Sequence, residues 1–292
     1  MSLPIKPFFS IIIPALNEEK FLPLLLADLV KQTIQDYEVI VVDGESTDKT
    51  VKKTQLFSQK LPSLTILTSK IRNVSVQRNL GADQAKGEYL LFNDADNRLP
   101  IYFLEGLRYQ LRVKPYELFT CWFDPDSHTN SDKATATYMN MVIEAASLLN
   151  QPAAYGALIG CRRHIFKHVG GFNPEIGFAE DTEFVNRGYK RGHSFGVLHE
   201  PRFIYSFRRF RKFGKLRLIQ KYAILNLKFL TNQKVDQKKE YPMGGGSLEQ
   251  EIRFTTDLTK LIRQTFQKKG LSIKIADRLR ALLSLEENQP LS

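Results

Sequence analysis

Cysteine is nearly absent from the chain: Cys121 and Cys161 are the only two in 292 residues. They are too few for a disulfide framework and lack metal-ligand spacing, so they read as small buried apolar residues of a chain kept in a reducing cytosol. Long hydrophobic runs are missing as well. None approaches the roughly 18 to 20 uninterrupted apolar residues of a spanning helix, because even the stretch after Leu216 is broken by Arg217, Lys221 and Lys228. The opening MSLPIKPFF passes directly into a strand pattern, without a basic segment, an apolar segment and a small-residue cleavage site. The expectation is a cytoplasmic protein, and any contact with a membrane would be peripheral, on its inner face. Acidic residues are the other shortage: 31 Asp+Glu stand against 42 Lys+Arg, a formal charge of +11. A hydrophobic share of 42%, a charged share of 25% and a mean hydropathy of −0.28 exclude a disordered, collagen-like or multi-span chain.

The positive charge has an address. Residues 202–234 hold ten Lys+Arg and no Asp or Glu, leaving 32 basic against 31 acidic residues elsewhere. Phe203, Tyr205, Phe207, Phe210 and Phe213 are interleaved with the basic residues. Helical periodicity over 216–230 groups Arg217, Lys221 and Lys228 and leaves an apolar face. Such a helix suits an anionic membrane surface, and it equally suits packing on the rest of the protein with a solvated basic edge.

Upstream, apolar runs alternate with helical patterns. Phe8–Pro14, Tyr37–Val42, Leu64–Leu67 and Glu88–Phe92 read as strands, the first two buried on both faces. Asn17-Glu18-Glu19 is expected to start a helix through Val30, with Asn as cap, and Ser46-Thr47-Asp48 to open another. A third covers 76–86. That order predicts βαβ units and a mainly parallel α/β sheet flanked by helices, with a ligand at the carboxyl ends of the strands. Beyond Pro100 the expectation is helices over 101–113 and 133–149, a strand over 118–123, a Gly-punctuated strand and turn over 153–171, a segment 173–190 carrying Glu180-Asp181, and a strand over 194–198. The domain division expected is a catalytic unit over 1–206, split into halves 8–100 and 101–206, and a basic helical extension over 207–292.

Asp94-Ala95-Asp96 follows the fourth strand. Two carboxylates two residues apart can share one hard cation where a diphosphate would lie in an α/β fold; with Asn93 and Asn97 the triplet also reads as an Asx-rich turn. Asp43 closes the second strand, where a carboxylate can accept from a base N–H or a ribose hydroxyl. Pro14-Ala15-Leu16-Asn17-Glu18-Glu19 closes the first. Three neighbouring strand ends thus carry polar turns.

At this point the chain resembles the family 2 glycosyltransferases, nucleotide-sugar-dependent enzymes of the GT-A fold. The matching text is SIIIPALNEEKFLPLLLADLVKQT, YEVIVVDGESTDKT, RNLGADQAKGEYLLFNDAD and VGGFNPEIGFAEDTEFVNRGYKRG, in the family's order and spacing over residues 8 to about 210. The resemblance implies that Ala15, Leu16 and Glu18 line the nucleotide pocket, that Asp43 contacts the base, and that Arg78 sits near the base or diphosphate. It implies that Asp94 and Ala95 adjoin the ribose or sugar and that Asp96, with Asp94, holds Mg²⁺ or Mn²⁺ against the phosphates. Asp181 takes the catalytic-base position, with Glu180 beside it, and Gly156 lies in a loop near the donor sugar. The activity implied is inverting transfer of one sugar from a UDP- or GDP-type donor to a hydroxyl acceptor, such as a lipid-linked or cell-surface glycan precursor.

The chain departs from the family in two places. Processive members carry a Gln-x-x-Arg-Trp motif, and the sole tryptophan here is Trp122, which argues against a long-polymer synthase. Many members supply a metal ligand from a histidine before the basic segment; Ser206 stands near that place, and His199 a few residues earlier is the candidate ligand. Arg208 and Arg209 are candidates for the donor diphosphate, because arginine pairs well with phosphate oxygens. Two rival readings remain: an inactive nucleotide-sugar-binding relative, and a nucleic-acid binder using the 202–234 strip. No nucleic-acid module is present, so nucleic acid is not an expected partner.

Overall fold

A computed structural model describes residues 6–214. The helix expected over 216–230 and the rest of the expected extension lie outside the described residues. Seven strands, β1 (Phe9–Ala15), β2 (Tyr37–Asp43), β3 (Leu64–Thr68), β4 (Tyr89–Asn93), β5 (Leu118–Pro125), β6 (Leu158–Arg162) and β7 (Phe195–Tyr205), form one sheet in the order β3-β2-β1-β4-β6-β5-β7. Helices α1 (Leu22–Val30), α2 (Thr50–Gln55), α3 (Val74–Gln84), α4 (Phe103–Val113), α5 (Asn130–Leu148), α6 (Arg163–Val169), α7 (Glu180–Lys190) and α8 (Arg208–Phe213) cover it.

Both faces of the central strands are sealed, as their unbroken apolar runs require. Ile11, Ile13, Val39 and Val41 pack toward α1 and α4 with Leu25, Leu29, Phe103 and Leu107. Ile12, Ile40, Val42 and Phe92 pack on the opposite side with Ala82, Phe166, Phe172 and Phe184. Each such large side chain contributes about 1.5–3 kcal/mol by leaving water. Phe207 and Phe210 belong to the first of these cores, so the packed body continues past residue 206 into α8.

The sheet is mainly parallel, but β6 runs antiparallel to both β4 and β5. It enters at the carboxyl end of β4, where Leu158 faces Asn93. The loop before β6 is thereby delivered to the edge where β1, β2 and β4 end, with Ala15 level with Asp43.

Several helix starts differ from expectation. Asn17 does not cap α1; it adopts a left-handed conformation with φ 56°, and its side chain accepts from the Thr47 N–H at 2.8 Å. The Ser46 hydroxyl in turn accepts from the Asn17 N–H at 2.8 Å. These groups tie two strand-end turns to each other, so α1 begins only at Leu22 and α2 at Thr50. In α3, Asn73 is the cap, accepting from the Val76 N–H at 3.1 Å. The stretch expected as strand and turn contains the helix α6, which ends on Gly170 at φ 89°, a conformation that costs little only for glycine.

Candidate active site

A cavity of about 390 Å³ opens at the carboxyl edge of the sheet. Its wall is formed by Leu16, Glu18, Asp94 and Asp96 together with residues of α5, the 154–157 loop and the start of α7. Two arginines in it are each set among carboxylates.

Arg78, on α3, is the first. Its side chain is 2% exposed, so it is not a surface residue of its helix. The guanidinium donates to Glu180 Oε1 at 2.9 Å, to the Gly156 carbonyl at 2.8 Å and to Asp94 Oδ1 at 3.3 Å, and it lies over the Phe172 ring. A buried charge is tolerable only with such partners. A Cβ at residue 156 would stand 2.9 Å from both Arg78 Nη2 and Asp181 Oδ2, so one of those side-chain ends would have to shift.

Asp181 and Glu180 open α7, where carboxylates are favoured by the helix N-terminus. Burial, and then the neighbouring Glu180 charge, push the Asp181 carboxyl up to about 7 against the pull of Arg78. A carboxylate with that affinity is suited to taking a proton near neutral pH. Burial also pushes Asp94 up to about 6, opposed by Arg78 and reinforced by Asp96. The Asp94 side chain keeps 37% of its surface in contact with solvent, so it is enclosed by the cavity rather than sealed.

Arg208, the first residue of α8, is the second. It donates to Glu18 through Nη1 at 2.9 Å and Nη2 at 2.5 Å, its Nε lies 2.7 Å from Asp96 Oδ2, and it covers the Phe21 ring. Burial raises the Glu18 carboxyl despite that partner. Arg209 lines the same cavity, and its charge acts on Asp94 and Glu18. Ala95 is buried between the two aspartates. The Asn97 side chain pins their turn by donating to Asn93 Oδ1 at 2.9 Å and to the Ala157 carbonyl at 2.6 Å.

Three expected site residues fall outside the cavity wall. Ala15 is buried in the core, its carbonyl taken by the Gly44 N–H at 2.9 Å and Gln77 Nε2 at 3.1 Å; its neighbours Pro14 and Leu16 line the cavity instead. Asp43 is 3% exposed. Its Oδ2 accepts from the Ser46 N–H at 3.0 Å, while its Oδ1 is buried without a partner, an orphaned acceptor of the kind a ligand N–H can fill. His199 does not join Asp94 and Asp96: its ring stacks on Trp122 at 4.2 Å and its Nε2 faces Glu144 at 3.1 Å. The position that does reach the cavity is Ser206.

Among the described residues, no three of His, Cys, Asp and Glu gather as a metal site. Asp94 and Asp96 nonetheless fit Mg²⁺ or Mn²⁺, which take one or two carboxylates and complete their shell with phosphate and water oxygens. The Arg208 guanidinium against Asp96 marks that spot as one that holds a cation. Sequence reasoning missed the contribution of α5, whose Tyr138, Met139 and Val142 line the cavity. The available signal was the absence of any charged residue over 134–143.

The family model described as Glycosyl transferase family 2 matches residues 10–170. The uncharacterized glycosyltransferase EpsJ of Bacillus subtilis is 25% identical over 214 residues, covering 68% of this chain and 61% of that protein; the chain thus spans less than two-thirds of the length of this curated relative. The mannosyltransferase PcManGT of Pyrobaculum calidifontis, solved with GDP-Man and Mn²⁺, superposes with a TM-score of 0.63 at 18% identity, covering 98% of this chain and 82% of that one. S. aureus TarS, solved with UDP-GlcNAc, superposes at 0.59 with 18% identity, covering 89% and 80%. The sheet order, the flanking helices and these superpositions define a GT-A-like α/β fold, and the chain belongs to glycosyl transferase family 2.

Proposed function

We propose that this protein is a metal-dependent, inverting glycosyltransferase that moves one sugar from a nucleoside diphosphate donor to a hydroxyl acceptor. The observation that carries the reading is a single cavity lined both by Asp181, whose carboxyl is pushed up to about 7, and by the Asp94–Asp96 pair with Arg208 and Arg209. The relatives solved with GDP-Man and UDP-GlcNAc support a donor of the GDP or UDP type.

In this reading Leu16 and Glu18 border the nucleotide, and the unused Asp43 Oδ1 accepts a base N–H. Asp96 with Asp94 holds Mg²⁺ or Mn²⁺, which when bound supplies charge to stabilise the departing diphosphate. Arg208 and Arg209 pair with phosphate oxygens. Asp181 accepts the proton of the acceptor hydroxyl as that oxygen bonds to the anomeric carbon. The bond from this carbon to the diphosphate oxygen breaks, and the nucleoside diphosphate leaves with the electron pair. Arg78 holds Glu180, Asp94 and the Gly156 carbonyl in fixed relation, so the base and the metal-binding carboxylates keep their spacing.

The test is a thermal-shift and hydrolysis screen of UDP-, GDP- and dTDP-sugars with Mn²⁺ and Mg²⁺. One donor class should raise the unfolding temperature in a metal-dependent way and be slowly hydrolysed, and Asp96→Ala should abolish both effects. No shift with any class, or full hydrolysis by Asp96→Ala, overturns the reading.

A further inference from the structure

A second cavity, of about 310 Å³, is lined by Lys6, Glu88, Arg163, His164 and Lys167. It lies at the amino edge of the sheet: Lys6 shortly precedes β1, Glu88 immediately precedes β4, and Arg163 follows the reversed strand β6. The catalytic cavity starts past the other end of β4, and about 20 Å of chain separates Glu88 from Asp94 at roughly 3.3 Å per residue. Three permanent cations, Lys6, Arg163 and Lys167, stand in this wall against one carboxylate, and Glu88 Oε1 already lies 3.7 Å from Arg162 Nη2. Among the described residues no hydrogen bond or ion pair reaches the side chains of Lys6, Arg163, His164 or Lys167. By contrast Arg98, Arg108 and Arg187 each sit 2.5–2.7 Å from a carboxylate. Arg163 and Lys167 are moreover four residues apart on α6, where like charges repel.

An anion relieves that repulsion, and the wall indicates which kind. Three cations less one carboxylate leave a formal surplus of two positive charges with His164 neutral. That surplus matches a phosphomonoester, which carries roughly −1.5 to −2 near pH 7, better than the single charge of a carboxylate. Arg163 offers forked donors suited to two phosphate oxygens, and Lys6 and Lys167 add point charges. The mount is fixed, because the Arg163 N–H donates to the Glu88 carbonyl at 3.0 Å and Ile165 and Phe166 of the same helix are buried in the core. The volume is many times the roughly 30 Å³ share of one water, which leaves room for the group that carries the phosphate. We propose that this pocket is an anion site for a phosphomonoester, either a soluble one or the headgroup of a phosphatidic acid. It stands apart from the catalytic cavity and holds whether or not the protein transfers sugar.

The test uses the full chain in EDTA at constant ionic strength. Glycerol 3-phosphate is titrated calorimetrically, and sedimentation is measured with phosphatidylcholine vesicles holding equal fractions of phosphatidic acid or phosphatidylglycerol. Binding of glycerol 3-phosphate assigns a soluble ligand; its absence, with stronger sedimentation on phosphatidic acid than on phosphatidylglycerol, assigns a headgroup. In either case Arg163→Gln with Lys167→Gln should weaken binding at least about tenfold while leaving the unfolding temperature without ligand unchanged. Lys31→Gln with Lys52→Gln removes the same charge from two exposed positions elsewhere and should leave binding intact. No binding of either probe by the parent, or undiminished binding by the Arg163 and Lys167 variant, overturns the proposal. So does an equal loss in the Lys31 and Lys52 variant, which makes the effect one of net charge, or an equal loss in Arg209→Gln, which puts the phosphate in the catalytic cavity.

Discussion

The two arginines of the cavity are held among carboxylates in different ways. Arg78 sits mid-helix, sealed under Phe172, with a carbonyl and two carboxylates on its guanidinium. Arg208 stands at the start of a six-residue helix, 26% exposed, bridging Glu18 and Asp96. A buried arginine with fixed partners is part of the scaffold, since withdrawing it leaves Glu180, only 13% exposed, without its cation. Arg208 is itself more exposed, while the carboxylates it bridges, Glu18 and Asp96, are 8% and 13% exposed, so a second cation can take its place only by supplying them with charge in turn. In the transferase reading proposed above, Arg78 is the fixed mount beside Asp181 and Arg208 the cation whose partners a bound donor exchanges.

The largest expected effect disables the group beside the fixed arginine without unfolding the protein. Asp181→Asn keeps the shape but removes the carboxylate proposed as the base, and transfer should fall about 10²- to 10⁴-fold while donor binding by thermal shift is preserved. In the parent, transfer should rise about tenfold per pH unit below about 7 and level off above it, following the Asp181 carboxyl. Stability runs the other way. A carboxyl whose folded-state affinity for a proton is raised contributes stability at low pH that is lost as pH climbs through its folded value. The parent should lose stability between about pH 4 and 7 through Asp94 and Asp181, and Asp181→Asn should exceed it in unfolding temperature above pH 7. Normal turnover in the variant would remove Asp181 from the chemistry.

The next effect is structural. Arg78→Met leaves Glu180 and Asp94 without their buried partner and should cost about 3–5 kcal/mol, read from denaturant unfolding. A cost under about 1 kcal/mol would show that Arg78 is as replaceable as Arg208. Smaller still is Gly156→Ala, whose methyl meets Arg78 Nη2 and Asp181 Oδ2 at 2.9 Å each. A shift of those groups should cost about 1–3 kcal/mol and slow transfer more than donor hydrolysis. Equal slowing of both would mean the loop serves the donor as much as the base.

How much of this was legible in the chain depends on the range of each interaction. Phe9–Ala15 and Tyr37–Asp43 read as buried strands because unbroken β-branched runs have few other uses. Asp94 and Asp96 read as a cation site from their place after such a strand, and the resemblance supplied Asp181. The helix caps were misread because Asn17 and Ser46 bond to each other's turns, about thirty residues apart, instead of to their own helices. Arg78 could not be seen as buried, since its partner Glu180 is 102 positions away. The reversal of β6 leaves no trace in periodicity, because a strand buried on both faces reads the same in either direction.

The last prediction concerns the replaceable cation. In the donor-free protein Arg208 balances Asp96 and Glu18, so a divalent ion must compete with a guanidinium already in place. Arg208→Ala removes the competitor and leaves the buried Glu18 and the partly buried Asp96 in need of positive charge. Its stability should fall by only about 1–2 kcal/mol, and Mn²⁺ alone, without nucleotide, should recover part of that loss. The parent should gain little from Mn²⁺ alone and more when a nucleoside diphosphate is added, because phosphate oxygens give Arg208 a new partner as it leaves Asp96. Arg208→Lys should lie between the two, holding a point charge near Asp96 without the two-pronged grip on Glu18. Equal stabilisation of parent and Arg208→Ala by Mn²⁺ alone would mean that the guanidinium and the metal occupy different places, and that both arginines are fixed.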